Sequence, residues 1–438
     1  MAKIKPRERD AIIQALHFGL TPRIGIQYIQ VGRNNETEAI KTDLDRIKNN
    51  GTTIRFIIGN LGSGKSFFLT LSSEIALTKK FVVTHADISQ EHLLHSPSNQ
   101  GKARALYSEL MHNLAVKVKW EGGALRSIIE RYISDVEHKL RNEGKEVSKI
   151  SFQQDVKNYM YDDLRFLQNF VNGSDFALVL GKYFEGYQSC NDNLMDNAIK
   201  WLSGEYTTKT QAKSDLGVRT LIDDNNYYDY LKLWAQFFVQ KAGYSGFLVN
   251  LDEMGTISQN LNNAISRDSN YKKILDIVND CIQGETSGIG FIFAGTTDFL
   301  DDKNKGIASY PSLNQRLRET TIEKSIALGF KDYTSPVMKL ENLSKEETYV
   351  LLENIRNVFA YGDPEKNLIS DKDIEKFLNH CARSLGSDLY QGPREITKGF
   401  VKALSMREKD PATPWEKLLG DNSIIPKKPD GKLANLKL

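Results

Sequence analysis

The chain is 438 residues long with 40% hydrophobic and 26% charged residues, which is typical of a globular protein of two or three domains and excludes large-scale disorder. Its formal net charge of +2 neither requires nor excludes a nucleic-acid partner. The three cysteines, Cys190, Cys281 and Cys381, are widely spaced and predict neither a disulfide framework nor a zinc site. This cysteine usage fits a reducing, cytoplasmic setting. No apolar run approaches the length of a membrane span, so secretion and membrane insertion are both disfavoured.

The first 35 residues predict a helix and a strand that lead into a larger module. Residues 9–18 carry apolar side chains at helical spacing, and the Gly-Leu-Thr-Pro segment at 19–22 ends the helix. Residues 24–31 alternate between apolar and polar side chains, which is typical of a strand. Gly32 and Arg33 follow directly, ahead of an amphipathic helix that begins at 36.

A phosphate-binding loop is the strongest signal in the chain. Residues Gly59 to Ser66 read GNLGSGKS, which fits the pattern G-x-x-x-x-G-K-[ST] of nucleotide hydrolases. A β-rich run at 54–58 precedes the loop and a helical run at 67–77 follows it, as the motif requires. We expect backbone N–H groups to surround the phosphates, Lys65 to reach the β- and γ-phosphates, and Ser66 to bind Mg²⁺. The residues expected to contact ATP here are Gly59, Asn60, Leu61, Gly62, Ser63, Gly64, Lys65, Ser66 and Phe67.

The region after this loop predicts a parallel sheet interrupted by a long helical insertion. Residues 81–87 form a strand candidate that follows the helix of the loop, which makes a strand–helix–strand unit. From about 98 to 245, amphipathic segments follow one another without a fixed repeat. The aromatic residues Tyr227, Tyr228 and Tyr230 are expected to lie in the core of this insertion rather than to stack on nucleic-acid bases.

Two acids and a threonine end the later strands of the predicted sheet. The apolar run at 247–251 ends in Asp252 and Glu253, and such carboxylates lie at the edge where α/β sheets bind ligands. We expect Asp252 to ligate Mg²⁺ and Glu253 to orient and polarise the attacking water. Thr296 follows the next strand, where it would sense the γ-phosphate or hold the water. The alternative for Thr296 is a plain loop entry.

Two arginines beyond the sheet are further candidates. Arg316, with Arg318 as the second choice, stands where oligomeric ATPases place a finger that completes the site of a neighbouring subunit, although a solvated charged face is the alternative. Arg394 lies in the first turn of a helix that Gly392 and Pro393 introduce. A cation at this place opposes the helix dipole, and an ATP phosphate would compensate it. In the tail at 411–438, the lysines either touch nucleic acid or are solvated; they are Lys427, Lys428, Lys432 and Lys437.

Several stretches of the sequence resemble a known family of ATPases. The ordered set of motifs resembles AAA+ ATPases of the initiator or STAND-like branch, in which a Gly-Arg pair such as Gly32-Arg33 lies near the adenine. More narrowly, four stretches resemble the BrxD-type ATP-binding proteins of bacterial BREX phage-defence islands. They are RFIIG at 55–59, ALYSELMHNLA at 105–115, EGGAL at 121–125 and GPRE at 392–395.

The resemblance implies an α/β fold with a P-loop AAA+ parallel-sheet core. The expected domains are 1–35, a core over 36–330 that contains the insertion, a helical lid over 331–405 and a flexible arm over 406–438. The implied function is Mg²⁺-dependent ATP hydrolysis in a homo-oligomer that acts with other phage-defence proteins and binds DNA or remodels a DNA-associated complex. The alternative is an ATP-loaded switch or scaffold that hydrolyses slowly and signals by assembly. A P-loop kinase is disfavoured because no acceptor-pocket motif is recognisable.

Overall fold

The computed structural model describes residues 3–96, 100–144, 149–318, 333, 335–385 and 393–420. The strands are β1 Thr53–Ile58, β2 Val82–Asp87, β3 Phe247–Asp252, β4 Ile289–Gly295 and β5 Val337–Lys339. The helices of the first half are α1 Pro6–His17, α2 Asn34–Lys48, α3 Lys65–Thr78, α4 Lys102–His112, α5 Leu125–Asn142, α6 Lys149–Asp163, α7 Gly173–Ser189, α8 Asp192–Leu202 and α9 Lys209–Leu216. Those of the second half are α10 Tyr227–Gln240, α11 Gly255–Gln259, α12 Ala264–Gln283, α13 Thr297–Asp301, α14 Pro311–Arg318, α15 Lys345–Phe359, α16 Asp371–Leu385, α17 Pro393–Lys409 and α18 Trp415–Gly420.

The chain divides into two compact units, each built from separate segments. One unit, here the helical unit, comprises Met1–Asn34, Gly59–Leu71 and Lys339–Leu438. The other, here the sheet unit, comprises Asn35–Ile58 and Ser72–Met338. The phosphate loop is therefore grouped with the chain termini rather than with the strand that precedes it.

The sheet unit is built around five strands in the order β2-β3-β4-β1-β5. The pairs β2–β3, β3–β4 and β1–β4 are parallel. Residues of β3 and β4 are buried almost throughout, as expected for parallel strands that are covered on both faces. The predicted α/β fold with a parallel sheet is confirmed. Because these strands are parallel, Asp87, Asp252 and Gly295 mark one common edge, the carboxyl edge of the sheet.

The helices α4 to α10 lie between β2 and β3 in the chain and share the core of the sheet unit. Tyr227, Tyr228 and Tyr230 are at most 4% exposed, so their assignment to the core is confirmed. A buried chain of hydrogen bonds crosses this core. The indole Nε1 of Trp234 donates to the Tyr107 hydroxyl at 2.9 Å, and that hydroxyl donates to the Leu202 carbonyl at 2.8 Å.

The helical unit has a separate apolar core, formed by α1 and α15 to α18. The guanidinium of Arg9 joins α1 to this core. It lies 5.2 Å from the ring centroid of Phe359 and 4.8 Å from that of Tyr361, and it donates to the Phe359 carbonyl at 3.1 Å. Arg9 also pairs with the carboxylate of Glu408, so a nearly buried cation is fully partnered.

Two segments of the helical unit differ from the sequence-based expectation. Residues 24–31, expected as a strand, contain a 3-10 turn at Ile26–Tyr28 that follows Gly25 at a φ of 75°. The left-handed glycine cannot continue a strand, and Ile26 and Ile29 are buried because a 3-10 turn places residues three apart on one face. In the segment expected as an arm, α17 continues to Lys409 and Trp415 of α18 is 5% exposed. Residues 421–438 lie outside the described ranges.

Candidate nucleotide site

The phosphate loop has the backbone that its glycines predict. Gly62 and Gly64 adopt φ values of 81° and 88°, in the left-handed region that favours glycine. A Cβ on Gly59 would lie 2.4 Å from Ser63 Oγ and 2.7 Å from the Leu340 carbonyl oxygen, so only glycine fits there. The position of a Cβ on Gly64, in contrast, has no neighbouring atom within 4 Å. The loop is thus closely packed at Gly59 and open at Gly64.

The residues at the end of the loop begin the helix α3. Lys65 Nζ donates to the carbonyls of Gly59 and Asn60, each at 2.9 Å, so the ammonium lies over the loop itself. Ser66 is half-buried in the first turn, where a helix carries partial positive charge. Phe67 packs against the apolar core of the helical unit. Asn60 and Leu61 of the loop are exposed, Leu61 to 84%.

Gly32 and Arg33 lie beside this loop in the helical unit. The Arg33 Nη2 donates to the Ser63 carbonyl at 3.3 Å and also to the Glu341 carbonyl. Arg33 has a φ of 62°, which is uncommon for a residue with a side chain. A Cβ on Gly32 would lie 2.5 Å from Glu347 Oε1, so glycine is required there as well. The structure therefore brings the Gly-Arg pair to the backbone of the phosphate loop.

Arg394 is exposed in the first turn of α17, where its Cγ lies 3.3 Å from the position of a Cβ on Gly19. The aliphatic part of the Arg394 side chain therefore lies beside Gly19, just after the end of α1. The residue is exposed at the surface of the helical unit, and its contact with an ATP phosphate stays a prediction. Gly392, which was expected to introduce this helix, lies outside the described residues.

Asp252 and Glu253 end β3 at the carboxyl edge of the sheet unit. The backbone N–H of Glu253 donates to Asp252 Oδ1 at 2.8 Å. Glu253 has a φ of 55°, and left-handed residues with side chains are concentrated at functional sites. Its side chain is exposed, whereas that of Asp252 is half-buried. The two carboxylates thus differ in their exposure to solvent. The half-buried Asp252 suits a ligand to a metal ion, and the exposed Glu253 suits a group that orients water.

A third acid at the same edge, Asp87, was not identified as a site residue from the sequence. It is the register partner of Asp252 on the neighbouring strand. Burial and the charge of Asp252 raise the pKa of Asp87, Glu109 adds to this rise, and His85 and His92 oppose it. The sequence does carry a signal for it, because the run at 81–87 ends in an acid just as the run at 247–252 does.

Thr296 follows β4 and caps the short helix α13. Its hydroxyl accepts the N–H of Phe299 at 3.4 Å. Its Oγ1 also lies 3.3 Å from the position of a Cβ on Gly255, shortly after the acidic pair. The hydroxyl keeps its own proton to donate, so the capping bond and a contact with a ligand are compatible.

Arg316 lies on α14 at the other edge of the sheet unit. Its side chain is exposed and lines a cavity of about 500 Å³ together with Thr53, the first residue of β1, and Gln283, the last of α12. A six-residue strand spans roughly 20 Å, so Arg316 lies far from Asp252 in the same chain. The side chain of Arg318 lies outside the described part of the chain.

Two features are absent from the part of the chain that the structure describes. No helix there is apolar over a stretch long enough to cross a membrane. In the same residues, no group of three or more His, Cys, Asp and Glu side chains is arranged to hold a metal ion.

Comparison with known proteins gives a family for the whole chain. The sequence profile described as "BREX system ATP-binding protein BrxC/D" matches residues 4–423. No curated protein matches the chain at a significant level. The profile covers nearly the entire sequence, including the phosphate loop, the acidic strand and the C-terminal helices. The chain therefore belongs to the family of BREX system ATP-binding proteins BrxC/D.

Proposed function

We propose that this BREX protein is an Mg²⁺-dependent ATPase that works as an oligomer in defence against phage. The observation that carries the proposal is the backbone of the phosphate loop. Its left-handed Gly62 and Gly64, the open space at Gly64, and the start of α3 at Lys65 form the anion-binding arrangement of nucleotide hydrolases. This arrangement suits the triphosphate of ATP.

Each candidate residue has a defined role in this proposal. Lys65 moves from the carbonyls of Gly59 and Asn60 to the phosphates, because a triphosphate is a stronger partner for the ammonium. Mg²⁺ would be held by the Ser66 hydroxyl and the Asp252 carboxylate, and it would neutralise phosphate charge.

The other roles concern water and the phosphate charge. Glu253 orients the attacking water, and Thr296 donates its hydroxyl to that water or to the γ-phosphate. Arg394 supports the phosphates from the same subunit. Arg316 acts on a neighbouring subunit, because it lines the amino edge of its own sheet. Gly32 and Arg33, which lie beside the phosphate loop, are the remaining residues proposed to bind the nucleotide.

A second candidate function is an ATP-loaded switch or scaffold that hydrolyses slowly. The observation that favours it is the contact of Arg33 with both the phosphate loop and the Glu341 carbonyl, which lies just ahead of α15. Such a contact links nucleotide binding to a neighbouring segment without requiring hydrolysis. The acids at 252–253 favour the ATPase, since a protein that only binds nucleotide does not need a residue to orient water.

One experiment separates these functions. ATP turnover is measured with and without DNA at low salt, together with the mass of the assembly in ATP and with Lys65→Ala as the control. The ATPase predicts turnover that Lys65→Ala abolishes and an oligomer in ATP. Stimulation by DNA that declines with salt would support DNA as a partner, because counterions are released on binding. Assembly in ATP with negligible turnover would favour the switch, and no binding of ATP would overturn both.

A further inference from the structure

We propose that Arg33 is a positioning residue that sets the orientation of the peptide group between Ser63 and Gly64 and couples it to the segment at 340–347. This inference rests on the proposed binding of ATP at the phosphate loop. In this proposal Arg33 contacts the backbone of the loop rather than the adenine of ATP.

The hydrogen bond from Arg33 fixes the orientation of a single peptide group. The Ser63 carbonyl, which accepts a hydrogen bond from Arg33 Nη2 at 3.3 Å, belongs to the same peptide as the Gly64 N–H. A trans peptide is planar, so its C=O and N–H groups point in opposite directions. Holding the carbonyl on the side of Arg33 therefore directs the Gly64 N–H to the opposite side. In loops of this type, backbone N–H groups bind the phosphates.

The charge of the Arg33 guanidinium also affects this peptide group. A guanidinium that donates to a carbonyl polarises the whole peptide, which makes its N–H a better donor to an anion. Arg33 is positively charged under all physiological conditions. Arg33 thus makes the Gly64 N–H a stronger hydrogen-bond donor to a phosphate without contacting the phosphate itself. Gly64 has a φ of 88°, and glycine populates positive and negative φ about equally, so the hydrogen bond from Arg33 favours one orientation of this peptide.

Arg33 also joins the loop to the segment ahead of α15. The same Nη2 also donates to the Glu341 carbonyl. The Leu340 carbonyl oxygen lies so close to Gly59 that a Cβ there would be 2.7 Å away. The loop and the segment ahead of α15 therefore touch at two places, one of which is made by Arg33.

A capping box extends this connection into α15. The Ser344 hydroxyl accepts the N–H of Glu347 at 3.1 Å, and Glu347 Oε2 accepts the N–H of Ser344 at 2.9 Å. The other carboxylate oxygen of Glu347 covers Gly32. Gly32 and Arg33 are thus held between the phosphate loop and the first turn of α15. A change in the loop when phosphate binds is transmitted through Arg33 to this turn.

The test measures binding of nucleotide and of a triphosphate without a base. A fluorescent ATP analogue is bound to the full-length chain with Mg²⁺ and displaced by ATP, ADP and inorganic tripolyphosphate. Arg33→Ala should weaken all three competitors by a common factor of about ten, the order of one charge-assisted hydrogen bond. Arg33→Lys keeps the charge but loses the planar fork and should have a smaller effect. Arg23→Ala, an exposed arginine of the same segment, is the matched control and should bind normally.

Each other outcome has a definite meaning. Weaker binding of ATP with unchanged binding of tripolyphosphate would overturn the inference and would indicate that Arg33 contacts the adenine base of ATP. Unchanged binding of all three would overturn it as well. If the wild-type chain binds no nucleotide, or if Lys65→Ala binds as the wild type does, the proposed function itself fails, which this design distinguishes.

Hydrogen exchange gives a second readout that a loss of folding would not imitate. In the wild-type chain, ATP should slow amide exchange both at 59–66 and at 340–347. In Arg33→Lys or Arg33→Ala saturated with ATP, the slowing at 59–66 should remain and that at 340–347 should be lost. Equal slowing of both segments in the variants would overturn the coupling.

Discussion

Asp87 and Asp252 are register partners at the carboxyl ends of two adjacent parallel strands. Paired carboxylates repel each other, and burial makes the charged form of Asp87 less favourable still. Removal of one of the two charges would relieve this repulsion.

We expect Asp87→Asn to stabilise the chain at pH 7 in the absence of Mg²⁺. The pKa of Asp87 is raised above its usual 3.8 in the folded state, so the folded state binds the proton more tightly. The associated stability is present below pH 3.8 and is lost as the pH rises through the raised value. The variant should therefore gain a few tenths of a kcal/mol at pH 7, or roughly half a degree in Tm, and nothing at pH 3. Thermal unfolding at both pH values measures this, and a lower Tm at pH 7 would contradict it.

Glu253→Gln should keep ATP binding and lose turnover. The amide cannot accept a proton or polarise water as the carboxylate does, so the rate should fall about 10²-fold to 10³-fold. The dissociation constant for ATP should stay within about threefold, because the role proposed for Glu253 is on the attacking water rather than on the phosphates. A turnover assay beside a binding titration checks both values. Glu285→Gln, an exposed acid ahead of β4, is the control and should behave as the wild type.

Arg316→Ala subunits should be rescued by Lys65→Ala subunits if the arginine acts on its neighbour. Each variant alone should be inactive. In an equal mixture, about a quarter of the sites combine an intact phosphate loop with an intact neighbouring arginine, so about a quarter of the activity should return. The readout is turnover in assemblies whose mixed composition is verified by mass. Absence of rescue would contradict the role of Arg316, and the same mixture made with Arg318→Ala tests the second choice.

Tyr107→Phe should destabilise the helical insertion. The Tyr107 hydroxyl accepts from Trp234 and donates to the Leu202 carbonyl, and both groups would be left without this buried partner. The expected cost is about 1–3 kcal/mol of unfolding free energy. Chemical denaturation measures it. Tyr206→Phe is the control, because its hydroxyl donates to Asp215, whose half-buried carboxylate keeps access to water, so the loss should be smaller.

The local parts of the fold and of the candidate site are readable from residue types and spacing. The run from Gly59 to Ser66 predicts its own loop, because glycine alone tolerates the left-handed backbone at Gly62 and Gly64. The strand that ends in Asp252 is readable because an unbroken apolar run needs burial on both faces. The prediction of a strand at 24–31 was wrong, because the alternation of apolar and polar residues does not reveal that Gly25 adopts a left-handed backbone.

The sequence by itself determined the nucleotide motif, the α/β class and the helical insertion, because these depend on backbone preference and on the period of apolar residues. Only the tertiary structure decided which residues meet. It paired Asp87 with Asp252, brought Arg33 to the Ser63 carbonyl, and placed Arg316 at the amino edge of the sheet. Such contacts join residues that are remote in the chain, and they are selected by the packing of whole elements, for which no local pattern exists.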